Sequence, residues 1–152
     1  MISEKEKFMA LAIKQAKIAG RNGEVPIGAV IVKDGVVISK SYNKRNKSKL
    51  ATAHAEINAI EKACKKLGDW RLDGCEMYVT LEPCPMCAGA ILNARISKVY
   101  FGAYEVKSGA LLSNYKMLFS GSLNHKGEVE GGILLGECKT LLKDFFKSKR
   151  ND

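Results

Sequence analysis

Residues 75–94 constrain this chain more than any other stretch, because an alternating strand runs through one proline into a helix without charge. Over 75–82, Cys75, Met77, Val79 and Leu81 fall on one face, with Glu76, Tyr78, Thr80 and Glu82 on the other. Pro83 cannot continue the ladder and ends the strand. Pro85 suits the first position of a helix over 85–94. A helix with no charged residue is hard to place facing water, so it calls for a covering layer or a partner. The uncharged run over 83–94 is too short to cross a bilayer.

The rest of the chain supplies that layer. Ser3-Glu4-Lys5-Glu6 reads as a capping box ahead of Phe8, Leu11, Ala12, Ala16 and Ala19 at helical spacing, and Gly20 is a stop. A β-branched run over 26–32 turns through Lys33-Asp34-Gly35 into Val36-Val37-Ile38, a strong hairpin signal. A polar, basic connection over 41–49 contains Asn43 and Asn46. A second helix is expected over 51–67, with Ile57, Ile60, Cys64 and Leu67 as its buried stripe. Another strand covers 97–101. Leu134, Leu135, Cys138, Leu141, Leu142 and Phe145 mark an amphipathic C-terminal helix. Strands alternating with helices predict a layered α/β fold, and 152 residues without repeats or linkers fit one domain over 1–152.

Glu4 to Lys7 break any apolar leader, so a soluble, cytoplasmic protein with no membrane partner is expected. Five cysteines cannot all pair, and in a reducing compartment a Cys-x-x-Cys is metal-binding or redox-active more often than a disulfide. The net charge of +9 attracts polyanions such as nucleic acid, although solubility alone also accounts for it.

Cys84-Pro85-Met86-Cys87 places two sulfurs on one side of a first helical turn, where backbone N–H groups and the helix dipole favour thiolates. The chain has two histidines, and His54 precedes Glu56 by two residues. If His54, Cys84 and Cys87 hold zinc, three protein ligands leave a fourth position for water, as in catalytic sites. Zinc lowers the pKa of such a water to about 7, and Glu56 is the candidate proton carrier. On a regular helix, residues two apart point to nearly opposite sides, so convergence of His54 and Glu56 requires an irregular or deeply buried helix start. Two other readings stand beside this one. A redox pair lacks the usual N-terminal βαβ placement. A closed structural site needs a fourth ligand from His125, Cys64, Cys75 or Cys138, and those three cysteines lie on apolar stripes.

His54-Ala55-Glu56 with Pro83-Cys84-Pro85-Met86-Cys87 resembles the signature of the zinc-dependent deaminases. Pro26-Ile27-Gly28-Ala29-Val30, the segment 80–90, Arg95-Ile96 and Phe101-Gly102-Ala103 narrow the resemblance to the bacterial tRNA-specific adenosine deaminases. So do Asn124-His125, Glu130-Gly131-Gly132, Leu141-Leu142, Phe145-Phe146 and Arg150. The resemblance implies a three-layer α/β/α sandwich of cytidine deaminase type, with a five-stranded mixed sheet, one Zn2+ per chain and a homodimer. It implies hydrolysis of adenosine to inosine at the wobble position, with a tRNA anticodon stem-loop as partner. Asn43 matches an asparagine that hydrogen-bonds the target purine. Glu105 stands where the family usually has aspartate near the neighbouring nucleotide, and residues 107–112 also depart from its pattern.

In the C-terminal helix Phe145 or Phe146 should lie at an edge among Lys143, Lys147, Lys149 and Arg150. An aromatic beside cations suits splayed RNA bases, so Phe145 and Arg150 are candidate substrate contacts; from these residues alone, two core phenylalanines beside a solvated lysine face is the other reading. Two other functions use the same features. One is deamination of a free base or nucleoside of the cytosine, cytidine or guanine type. The other is a zinc-stabilised RNA-binding module without catalysis, for which Glu56 would be superfluous. Residues 88–92 are the first candidate for the dimer contact.

Overall fold

Ser3 opens the first helix, α1 (Glu4–Arg21), by accepting a hydrogen bond from the Glu6 amide while the Glu6 carboxylate accepts from the Ser3 amide. This holds in a computed structural model that describes residues 2–114 and 127–150. The expected hairpin follows as β1 (Gly28–Lys33) and β2 (Val36–Tyr42). Its turn has Asp34 at φ 52° and Gly35 at φ 77°, the two positive angles that match the twist of a hairpin. Gly28 lies against α1, where a Cβ would come within 2.1 Å of the Ala12 carbonyl oxygen, so only glycine lets the helix sit this close.

The basic connection folds one short helix, α2 (Arg45–Ser48), which the sequence pattern did not indicate. Next comes α3 (Ala55–Leu67), four residues shorter at its start than the expected 51–67 because His54 has extended backbone and serves as its N-cap. Gly68 ends it at φ 69°. The remaining elements are β3 (Cys75–Leu81), α4 (Pro85–Asn93), β4 (Lys98–Ala103), β5 (Glu128–Glu130) and α5 (Leu135–Arg150).

The five strands form one mixed sheet in the order β2-β1-β3-β4-β5. β1 runs antiparallel to both neighbours, whereas β3, β4 and β5 are mutually parallel. One face is covered by α3 and α4, which place Ala55, Ala59, Ala63, Ile91 and Leu92 in a core with Ile31, Met77, Val79 and Phe101. The other face is covered by α1 and α5, where Phe8, Met9, Ile13 and Cys138 share a core with Val30, Tyr78 and Tyr100. The result is the three-layer α/β/α sandwich that the resemblance implies. Central β3 is therefore buried on both sides, including Tyr78 and Thr80 on the face that alternation alone marks as polar.

The stripe expected on α3 is displaced. Its alanines face the sheet and Glu56 is buried at its start, while Ile57, Ile60 and Cys64 are half-buried and Leu67 is exposed. Small side chains let the helix approach the strands closely, and the larger ones move to its flank. Likewise Ala88, Ile91 and Leu92 of α4 lie in the core of their own subunit, leaving Met86, Gly89 and Ala90 on the outer side.

Candidate metal and catalytic site

Two helix N-termini meet beyond the carboxyl end of β3, where open α/β sheets bind their ligands. Cys84 is the N-cap of α4, with extended backbone at ψ 172°, and Pro85 follows as the first helical residue. Cys87 lies one turn further on, fully buried. His54 caps α3 in the same manner at ψ 155°. Its Nδ1 lies 3.8 Å from Cys84 Sγ and 3.5 Å from Cys87 Sγ. Because His54 stands outside the helix, helical periodicity does not govern its side chain, and the conflict with Glu56 disappears. Glu56 is the second residue of α3 and only 4% exposed.

Among the described residues, the donor atoms of His54, Cys84 and Cys87 form one group within 4.8 Å of one another, able to hold a metal ion. Cys75 and Cys138 are buried elsewhere in the two apolar cores, and the Cys64 thiol faces the Trp70 carbonyl oxygen at 3.7 Å. His125, with the Asn124-His125 segment, lies outside the described residues.

The electrostatics follow from burial and from these contacts. A hydrogen bond from the Cys87 thiol, aided by one from His54, holds the Cys84 thiol down to about 4. The same bond to Cys84, together with burial, raises the Cys87 thiol. The pair thus keeps one proton between them, which a metal ion displaces on binding. Hydrogen bonding to Cys84 raises His54 above its usual value. Burial pushes the Glu56 carboxyl up to about 7.

Beside the donor group lies a cavity of about 150 Å³, lined by Ile27, His54, Glu56, Glu82, Glu105 and Ser108 among others. Of the expected substrate contacts, Glu105 lines it and the rest lie elsewhere. Asn43 is buried just after β2, donating to the Val25 carbonyl at 3.3 Å and accepting from the Arg45 amide at 3.2 Å. Phe145 borders a groove against α1 with Lys17, Arg21 and Pro26. Arg150 is exposed at the end of α5. It is Phe146, 45% exposed, that lines a neighbouring cavity with Leu81, Tyr104 and Glu105, two of which also wall the first cavity.

Sequence reasoning passed over Glu82, whose carboxylate is 2% exposed and accepts hydrogen bonds from the segment 105–113. The signal was present, since Glu82 is the only charged residue in 77–94. A lone charge inside so apolar a stretch must be compensated by fixed partners.

An α/β/α sandwich with a His/Cys/Cys group at two helix N-termini is a deaminase architecture, and the MafB19-like deaminase family matches residues 3–150. The tRNA-specific adenosine deaminase of Bacillus subtilis strain 168 is 46% identical over 149 residues, covering 98% of this chain and 92% of its own length. That of Aquifex aeolicus is 47% identical over 148 residues, covering 97% of each chain. A structure from work on A-to-I editing by tRNA:A34 deaminases superimposes with a TM-score of 0.87 at 46% identity, covering 90% of this chain and 99% of that one. The chain belongs to the family of the tRNA-specific adenosine deaminases.

Proposed function

We propose that this chain deaminates adenosine to inosine at the wobble position of a tRNA anticodon, as a single-domain, zinc-dependent hydrolase. The observation that carries the reading is a buried carboxylate, Glu56, beside a three-donor His/Cys/Cys group in a fold whose relatives are tRNA adenosine deaminases. A noncatalytic zinc module has no use for that carboxylate.

The donor set fits zinc. Tetrahedral coordination with ordinary Zn–S and Zn–N lengths sets S···N separations at about 3.6 Å. The two separations here are 3.8 and 3.5 Å. Two thiolate donors and one imidazole also match zinc's preference over harder cations. Bound there, zinc supplies the Lewis acidity that makes water nucleophilic at neutral pH.

The chain's own residues do the rest. Glu56, buried beside the donor group, takes a proton from the water that adds to C6 of adenine and delivers it to the ring nitrogen. The proton of the new C6 hydroxyl passes by the same carboxylate to the amine; the C–N bond breaks, ammonia leaves, and the C6 carbonyl of inosine forms. Burial around Glu56 keeps bulk water from competing for the proton.

Asn43 is the residue expected to bond the target purine. With one amide hydrogen on Val25 and its oxygen on Arg45, it retains a hydrogen and a lone pair for that purpose. Glu105, at the cavity wall, would meet the adjoining nucleotide, and Phe145 and Arg150 would meet RNA reaching α5. The protein is a cytoplasmic homodimer in this reading. Support for the dimer comes from an apolar flank of α3 and α4 where half-buried Ile60, Cys64 and Ala90 line a surface depression with Trp70, 57% exposed. Among the described residues no helix is long and apolar enough to cross a membrane.

Incubation with unmodified tRNA bearing adenosine at the wobble position, read by sequencing, should show inosine there and nowhere else in that tRNA. Ammonia from free guanine or cytidine with no inosine in the tRNA would transfer the assignment to a free-base deaminase.

A further inference from the structure

The segment 105–113 wraps around a single buried carboxylate. Glu82 Oε1 accepts from the Glu105 amide at 3.1 Å and from the Ser113 hydroxyl. Its Oε2 accepts from the amides of Leu111, Leu112 and Ser113 at 3.2, 2.7 and 2.8 Å. The Ala110 amide adds a bond to the Pro83 carbonyl at 2.8 Å. Successive N–H groups converging on an anion form the kind of nest that elsewhere binds free phosphate or carboxylate. Here the anion is part of the chain, two residues before Cys84. The wrapped segment carries Glu105 and Ser108, which line the cavity together with Glu56.

We propose that Glu82 is a positioning residue for substrate: its carboxylate fixes the 105–113 segment as a wall of the cavity that Glu56 also lines and leaves the chemistry to the metal group. The proposal rests on the functional reading above. Two features set its consequences. An amide in place of the carboxylate has one accepting oxygen, so Glu82→Gln cannot satisfy all five donors. The Ser113 hydroxyl can reverse and accept, whereas the Glu105 amide cannot, so the arm carrying Glu105 is the one released. From the other side, a Cβ on Gly109 would lie 2.3 Å from the Glu105 carbonyl oxygen and 2.5 Å from the Glu82 carboxyl carbon. Gly109→Ala therefore pries open the same clasp without altering the strand that leads to the cysteines.

The test measures kcat, KM, zinc content and amide hydrogen exchange for the two single variants and their combination, with an anticodon stem-loop bearing wobble adenosine as substrate. Each single variant should raise KM about tenfold, the scale of one hydrogen bond to a charged group. Zinc content should match wild type, kcat should stay within about threefold, and amides in 105–113 should exchange faster. The double variant should match the weaker single variant, because both act on one contact. Unchanged KM, unchanged exchange, effects that multiply, or a loss of kcat and zinc with KM constant would each overturn the role. If Glu82→Gln does not fold, Gly109→Ala decides by the same criteria. A wild-type protein inactive on the stem-loop contradicts the functional reading instead; stem-loop Kd and amide exchange then still decide on Glu82, unchanged values overturning it.

Discussion

Burial makes the Glu56 carboxyl reluctant to ionise, holding it up to about 7 from an ordinary value of 4.5. Between those values the folded, metal-free protein keeps a proton that the unfolded chain has released. On its own this contribution favours low pH and is lost as pH rises through about 7, while Cys84, held down to about 4, contributes with the opposite sign over the same range. The Glu56 part is therefore read as a difference: the stability of chelated wild type relative to chelated Glu56→Gln should fall between about pH 5 and about pH 8. Denaturant titrations of both proteins at the two pH values check this; a constant difference would contradict it. The identity of the group at Glu56 was legible in the sequence because His54-Ala55-Glu56 is a specific pattern. Its geometry was not. Nothing in the spacing shows that His54 leaves the helix as its N-cap, which is what frees the imidazole to meet the cysteines.

The site depends on two elements starting at one place. α3 and α4 both begin beside the donor group, and their N-terminal partial positive charges favour the thiolates and the Glu56 carboxylate. Cys87, on the first turn of α4 and fully buried, links metal affinity to the packing of that helix. Cys87→Ala should lose bound metal and lower the melting temperature, because metal binding contributes folding free energy. Metal analysis with thermal unfolding would show it, and full zinc retention would mean that the ligand set is wrong. Elements with strong local signals were readable: the Asp34-Gly35 turn, the proline-terminated β3 and the capping box of α1 all occur as expected. The short α2 and the three-residue β5 were not, since neither has enough residues for a period to show. The stripe on α3 misled because alanines rather than isoleucines face the sheet, and hydrophobicity counts favour the larger side chains.

At the scale of the molecule, 25 Lys and Arg against 16 Asp and Glu give a field suited to RNA. Lys147, Lys149 and Arg150 concentrate part of it at the exposed end of α5. Phe146 faces the cavity side and Phe145 the α1 groove, a distinction that adjacent phenylalanines on one helix cannot reveal in sequence. Deleting residues 145–152 should weaken tRNA binding and reduce the slope of log affinity against log salt by about 1–2, as fewer counterions are released. Zinc content should be unaffected. A folded truncation with the same affinity and salt slope would remove α5 from the RNA surface.

In the proposed reaction Glu56 moves the protons of a deamination carried out beside the His54, Cys84 and Cys87 group. The decisive comparison is Glu56→Gln, loaded with zinc, against wild type on the wobble-adenosine stem-loop. Circular dichroism, zinc content and stem-loop affinity should match wild type, while inosine formation falls by about 10²–10⁴-fold or more. A variant that binds zinc and RNA normally and still produces inosine at a rate near wild type would show that another group carries the proton.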